Sequence, residues 1–270
     1  MMRALWTAAS GMISQQTNVD TISNNLANIN TTGYKKENAE FKTLLYQTLQ
    51  EQSYNNNGDP KPTGIQVGLG VRNSAITSQY TQGALNETGN DFDFAISGRG
   101  FFMVRTDDGG VAYTRNGSFQ FARGLEGPTL ATSDGQAVLD TNGESIILDE
   151  SYEASKLVIS ETGELFYPDE TGVAMSLGIQ IGIAQFSNPS GLLKTSNSLL
   201  RETEASGMAK LEAEDSSLQQ STIRQRYLEA SNVQTVDEMV NLIVAQRAYE
   251  MNSKIITAAD EMLQQANNLR

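Results

Sequence analysis

The stretch LIVAQRAYEMNSKIITAADEML, residues 242–263, decides the fold. Leu242, Ala245, Tyr249, Ile256, Ala259 and Leu263 recur at the three-and-four spacing of one helix face, continued by Ala266 and interrupted by Asn252. A second stripe runs through Val244, Ala248, Met251, Ile255, Ala258, Met262 and Leu269. Two stripes present more apolar surface than one partner helix can bury, so this helix predicts neighbours on more than one side. Asp237 and Glu238 near its start and Arg270 at its end suit the helix dipole, and Ser231 or Thr235 stands where a cap is needed.

The other end of the chain carries a matching pattern. Leu5, Met12, Val19 and Leu26 repeat every seven residues, with Ala8, Ile22 and Ile29 at the offset positions and Gln15 as the exception. This is a seam of roughly four heptads in a helix about 45 Å long. Gly11 is a weak point in it, and Asn30-Thr31-Thr32-Gly33 is expected to end it, with Gly33 as a left-handed cap. Asn24, Asn25 and Asn28 crowd a helix that Asn disfavours. In an apolar coiled-coil setting they would fix register, and in a tube they would line a polar lumen. Burial of their side chains inside one subunit would exclude the lumen.

Between the helices the period changes to two. Phe92, Phe94 and Ile96 alternate with Asp91, Asp93 and Ala95, and Phe101-Phe102-Met103-Val104 reads as a buried strand. Asp107-Asp108-Gly109-Gly110, Ser133-Asp134-Gly135 and Thr141-Asn142-Gly143 mark turns, and Asn116-Gly117 is a hairpin dipeptide. Residues 156–159 and 178–184 read as strands. Short strands between regular turns predict a β-rich domain. Residues 46–64 are polar and turn-prone, with the composition of a loop, and 201–220 read as a linker or extended arm. The expected fold class is α+β: terminal helices forming a coiled-coil-like stalk from 1–33 and 228–270, a connector of extended β structure from 34–92 and 193–227, and a β-rich outer domain from 93–192.

Composition narrows the function. The net charge of −13 makes nucleic acid and anionic membranes poor partners. The chain has no Cys and no His, which removes disulfides, thiolate chemistry and the commonest general base and metal ligand. No stretch has the roughly 20 apolar residues of a membrane span. The first eleven residues hold one basic residue and no apolar run of signal-peptide length, so the expectation is a chain that is cytoplasmic or exported without a cleaved signal. Gly98-Arg99-Gly100-Phe101 begins like a phosphate loop but lacks its third Gly; a tight turn feeding a buried strand explains it. Asp140-Thr141-Asn142-Gly143-Glu144 resembles a calcium loop only in part, since position twelve is Ser151. Asp91 with Asp93, or Asp107 with Asp108, has the look of a carboxylate pair, but nothing else supports catalysis. The expectation is a non-enzyme with no cofactor and no metal.

At residues 23–36, SNNLANINTTGYKK, the sequence resembles the N-terminal signature of bacterial flagellar basal-body rod and hook proteins. Leu228-Glu229-Ala230-Ser231-Asn232-Val233 and 246–254, QRAYEMNSK, resemble the C-terminal signature, and Gly100-Phe101-Phe102 and 113–119, YTRNGSF, match between them. Residues 41–49, FKTLLYQTL, and the polar segment after them resemble the distal-rod members in particular. The resemblance implies a structural subunit of a helical tube that spans the periplasm, with both terminal helices in an inner layer and the β domain outside. It implies assembly through Leu5, Met12, Val19, Ile22, Leu26, Ile29, Asn24, Asn25, Asn28, Leu242, Tyr249, Ile256, Leu263, Val244, Met251, Ile255 and Met262. Segment 46–64, with Tyr46, Gln47, Tyr54, Asn57, Pro60 and Pro62, would be an ordered contact that stiffens the shaft. Implied partners are further copies of the chain, proximal rod proteins, the hook or hook junction, basal-body ring proteins and the flagellar type III export apparatus. The alternatives are a proximal rod or hook-like axial subunit and, from another class, an acidic β-rich glycan-binding protein or enzyme with a helical oligomerisation stalk. The family often has Gly in a Gln-Gly-x-Leu-Glu pattern where this chain has Gln225-Arg226-Tyr227-Leu228-Glu229. That departure puts the bend expected there in doubt and leaves room for an earlier start of the C-terminal helix.

Overall fold

The structure is a computed structural model that describes residues 2–50, 64–123, 127–148, 152, 156–168, 173–215 and 217–268. Its elements in chain order begin with helix α1 (Met2–Ala27) and strands β1 (Glu37–Thr43), β2 (Tyr46–Gln50), β3 (Ile65–Gly68), β4 (Val71–Ser78), β5 (Leu85–Glu87), β6 (Phe94–Ser97) and β7 (Phe101–Arg105). There follow β8 (Val111–Thr114), β9 (Phe119–Arg123), β10 (Pro128–Thr132), β11 (Val158–Ile159), β12 (Glu164–Pro168), β13 (Ala174–Gln180) and β14 (Ile183–Gln185). The chain closes with β15 (Leu193–Lys194), β16 (Leu199–Arg201), β17 (Lys210–Leu211), β18 (Thr222–Gln225), β19 (Tyr227–Glu229) and helix α2 (Thr235–Asn268). The architecture is α+β. It divides into two compact units, residues 1–27, 37–78 and 234–270 in the first and 28–36 with 79–233 in the second.

In the first unit α1 and α2 pack antiparallel, since Asn25 bonds Glu238 and an added Cβ at Gly11 would meet the Asn252 side chain at 2.9 Å. Gly11, a weak point by propensity alone, sits against the Asn252 side chain of α2. Small side chains are buried on both helices, Ala8 and Ser14 of α1 and Ala245 and Ala259 of α2. At about 1.5 Å per residue, the 34 residues of α2 outrun the 26 of α1. Continued to Met2, the register reaches Glu261, and the described residues beyond it are all exposed. α1 ends at Ala27, six residues short of the predicted Gly33 cap. Asn25 turns its side chain to a strand, and Asn28 accepts the Thr31 hydroxyl in a turn. β1–β2 and β3–β4 form one two-stranded ribbon. The amide of Leu44 bonds the Gly70 carbonyl and that of Leu69 the Leu45 carbonyl, which carries the pairing through the break in each strand.

The second unit centres on a six-stranded sheet in the order β15-β16-β8-β7-β14-β17. β7 is buried on both faces. Phe102 and Val104 join a cluster with Phe94, Phe119, Leu130 and Ile181, while Phe101 and Met103 join Tyr113, Leu139 and Phe186. The Asp107–Gly110 turn closes the β7–β8 hairpin as expected. Asn116-Gly117 closes none: β8 pairs with β7 and β16, and β9 pairs with β10. Gly117 is there because a Cβ would lie 1.7 Å from the Phe94 carbonyl oxygen. Residues 201–220 are not a free linker. β17 forms the sheet edge, and the Glu212 carboxylate is buried, accepting the Ser221 amide at 2.6 Å and hydroxyl at 2.7 Å and the Gln185 amide at 2.8 Å.

The bend left in doubt at residue 226 is kept without glycine. Arg226 holds φ 67° between β18 and β19, and α2 starts no earlier than Thr235. Its amide donates to the Asp93 carbonyl at 2.7 Å, and its guanidinium pairs with Asp91 at 2.6 Å. Ser231 caps nothing; its hydroxyl accepts the amide of Val233. A left-handed non-glycine residue costs about 1 kcal/mol, and the exposed ion pair returns less than about 1 kcal/mol. Arg226→Gly is therefore expected to be more stable than Arg226→Ala by about 1 kcal/mol in urea unfolding, and equal stabilities would contradict this account of the bend.

Candidate functional site

The first unit has an apolar face that stays exposed among the described residues. The stripe of α2 through Leu242, Ala245, Asn252, Ile256 and Ala259 is buried or half-buried. Tyr249 and Leu263 of that stripe are exposed, but less so than the large residues of the second stripe, whose Ala248 is half-buried and whose Leu269 lies outside the described residues. There Val244 is 62%, Met251 59%, Ile255 47% and Met262 51% exposed. The two stripes read from periodicity therefore differ in fate. Val236, Met239, Val240 and Ile243 of α2 are exposed as well, and so are Met2, Trp6 and Ile13 on α1. None of these was among the predicted contacts, although Trp6 and Ile13 stand one heptad apart. On α1 the predicted Leu5, Met12, Val19, Leu26 and, just beyond it, Ile29 are half-buried, and Ile22 is buried.

The ribbon is also uncovered. Phe41, Leu45, Tyr46, Leu49, Ile65, Leu69 and Ile76 are exposed, and so is Gln47. A two-stranded ribbon is marginal in water by itself. Of segment 46–64, residues 46–50 are strand; Tyr54, Asn57, Pro60 and Pro62 lie outside the described residues. Side-chain hydrogen bonds tie the ribbon to α1. Ser10 Oγ accepts the amide of Val71 at 3.3 Å, and Thr17 Oγ1 accepts Asn73 Nδ2 at 2.6 Å. Thr7, Ser10, Ser14, Thr17 and Thr21 repeat at alternating spacings of three and four, a hydroxyl seam with the same period as the apolar one. Scoring only apolar residues passes over it.

Asn25 is buried within this unit, so the lumen reading does not hold for it. Its Oδ1 accepts the Glu37 amide at 2.9 Å, and its Nδ2 donates to the Glu37 carbonyl at 2.8 Å and to Glu238 at 3.1 Å. Asn24 is exposed and donates to the Glu37 carboxylate at 3.2 Å.

The second unit holds a buried ionic node. Glu229 is 1% exposed. One carboxylate oxygen receives Lys35 Nζ at 2.5 Å and the Gly83 amide at 2.9 Å, and the other receives Arg115 Nη1 at 3.1 Å. Lys35 also bonds the Thr81 carbonyl at 2.8 Å, and Arg115 bonds that of Gly98 at 2.6 Å. Burial pushes both cations below their ordinary values, and Glu229 pulls each back up. Gly33, at φ 69°, donates its amide to the Glu229 carbonyl, and a Cβ there would sit 2.7 Å from the Arg115 backbone. Three residues after Glu229, Asn232 accepts the Lys36 amide at 2.7 Å and donates to the Gln79 carbonyl at 2.9 Å. The motifs at 23–36, 113–119 and 228–233 thus meet in one place, a convergence that spacing along the chain does not reveal.

The catalytic look-alikes have structural explanations. Asp91 pairs with Arg226, and Asp108 with Arg201 on the surface. Asp140 accepts the amides of Asn142 and Glu144 within its own turn, and Ser151 lies outside the described residues. Gly98–Gly100 is a turn held to Ser221 that feeds the buried strand β7.

Three family descriptions match along the chain. Flagella basal body rod protein matches residues 5–35, flagellar hook protein FlgE/F/G D1 domain residues 95–167, and flagellar basal body rod FlgEFG protein C-terminal residues 224–269. The chain is 45% identical to the flagellar basal-body rod protein FlgG of Borreliella burgdorferi, over 100% of this chain and 99% of that one. It belongs to the flagellar basal-body rod protein family. Its FlgG relatives in Agrobacterium fabrum, at 43% identity over 97% of each chain, and in Bacillus subtilis, at 38% over 100% of each, agree. As a member it is a structural subunit of the basal-body rod, a part of the motility apparatus, and the glycan-binding or enzymatic alternative is not favoured.

Breaking a buried ion pair costs about 3–5 kcal/mol, whereas replacing all its members with apolar residues is often close to neutral. Glu229→Leu is expected to lower the stability of the second unit by about that first amount. The triple variant Lys35→Met, Arg115→Met, Glu229→Leu is expected to lose distinctly less. Urea unfolding of both checks this, and a triple variant at least as unstable as the single one would refute it.

Proposed function

We propose that this rod subunit is of the distal type and polymerises with copies of itself into a rigid helical tube that carries torque from motor to hook. The carrying observation is the uncovered apolar stripe Val244, Met251, Ile255 and Met262, on a helix whose opposite stripe is already used within the subunit. An uncovered apolar face of this length on a soluble chain marks an interaction site. It supports an inner layer in which α1 and α2 of one subunit meet those of its neighbours in a coiled-coil-like stalk. Leu5, Met12, Val19, Leu26, Tyr249 and Leu263, which one partner helix leaves incompletely covered, belong to the same interface. In this reading the outer layer comes from residues 93–192, joined to the helices by 34–92 and 193–227. Segment 46–64 would run against neighbouring subunits and stiffen the shaft, for which the exposed Tyr46 and Leu49 give support. The partners are further copies, proximal rod proteins, the hook or its junction, basal-body rings and the export apparatus that delivers the chain. The resemblance of residues 41–49 and the polar segment after them to distal-rod members supports the distal assignment.

Val244→Asp combined with Met251→Asp places charge on the uncovered stripe and nowhere in the subunit's core. Polymers seen by sedimentation and electron microscopy should vanish, while unfolding of the second unit stays within about 0.5 kcal/mol of wild type. Polymers that persist would overturn the assembly reading. Deleting residues 46–64 should leave polymers that bend more readily, measured as a shorter persistence length in micrographs; unchanged stiffness would refute the role given to that segment.

A further inference from the structure

We infer that Asn25 is a positioning residue for assembly: its single amide sets where the ribbon leaves the helix pair, and so fixes the spacing at which the ribbon and the α2 stripe meet neighbouring copies. This rests on the self-assembly reading above. Three segments of the first unit converge on the side chain, namely the last turn of α1 that carries it, the first residue of β1 and the first turn of α2. In a strand, N–H and C=O groups face the partner strand at one residue and away from it at the next. At Glu37 it is the Asn25 amide, with one acceptor and one donor, that meets both groups, as a neighbouring strand would. Its second amide hydrogen is directed at Glu238, a carboxylate that is itself buried in the first turn of α2. No other side chain of this size supplies an acceptor and two donors in one plane. Asp brings a second carboxylate to a buried one, Leu brings neither donor nor acceptor, and Gln is longer by a methylene.

The consequence reaches the surface. The ribbon's exposed Phe41, Leu45 and Tyr46 and the helix's exposed Val244 and Met251 belong to the same unit. A neighbour that contacts both gains most when their spacing is fixed before it binds, because ordering a loose ribbon on contact would oppose association.

The test uses the full chain with four variants. Asn25→Leu is expected to raise the critical concentration for polymerisation at least tenfold by sedimentation. It should also speed amide hydrogen exchange over residues 37–43 and leave urea unfolding of the second unit unchanged. Asn25→Asp should do the same. Asn25→Asp with Glu238→Gln should recover part of the loss, since the side-chain amide introduced on α2 can donate to the new carboxylate; Glu238→Gln alone is the control. A wild-type critical concentration in Asn25→Leu overturns the inference, as does lost assembly with unchanged exchange over 37–43. Should Asn25→Leu fail to fold, equal critical concentrations for Asn25→Asp with and without Glu238→Gln overturn it instead. A wild-type chain that forms no polymer would sink the assembly reading itself.

Discussion

Glu229 carries one negative charge against two buried cations, and the second unit is organised around that imbalance. Lys35 and Arg115 are each removed from water, which disfavours their charged forms, and each needs the same carboxylate. Carbonyl groups of Thr81 and Gly98 take up further hydrogen-bonding capacity of the two cations. Attraction in such a cluster roughly offsets desolvation. The node therefore does less to deepen the native minimum than to define it, because an arrangement that separates any of the three strands a charge in an apolar setting. The glycine at 83 follows from it, since its backbone must come close enough to present its amide to the carboxylate.

Beside this specified interior the first unit is built for incompleteness. A helix pair that satisfies one stripe of α2 and leaves the other open, and a ribbon with apolar side chains in solvent, are liabilities in a monomer. In the proposed polymer they would become contacts. The polar links from α1 to the ribbon suit that role: Ser10, Thr17 and Asn25 hold backbone and side-chain groups in set places while leaving apolar surface for neighbours.

Much of this was legible from residues alone, for definable reasons. Both helices and the doubled stripe of α2 follow from period, which is a local property, and β7 follows from its unbroken apolar run. Helix α1 ended early because Asn25 and Asn28 use their side chains on a strand and a turn, a tertiary outcome that propensity does not contain. Asn116-Gly117 misled because the same dipeptide serves a tight backbone approach to Phe94. Arg226 kept a bend that normally calls for glycine because the Asp93 carbonyl and Asp91 carboxylate hold it. The polar stretch 201–220 concealed a sheet edge, because β17 contributes only two residues and its anchor, Glu212, is charged. The node itself was invisible: Lys35 and Glu229 lie 194 residues apart, and nothing in either local sequence names the other.

That separation has a kinetic meaning. Closing a loop of such length costs about 5 kcal/mol of chain entropy before any contact rewards it, and topologies dominated by distant pairings form slowly. Lys35 and Arg115 reach their shared carboxylate only once the early and late parts of the chain have come together. A closure of that length makes the node a late event in folding, after the nearer strand pairings have formed.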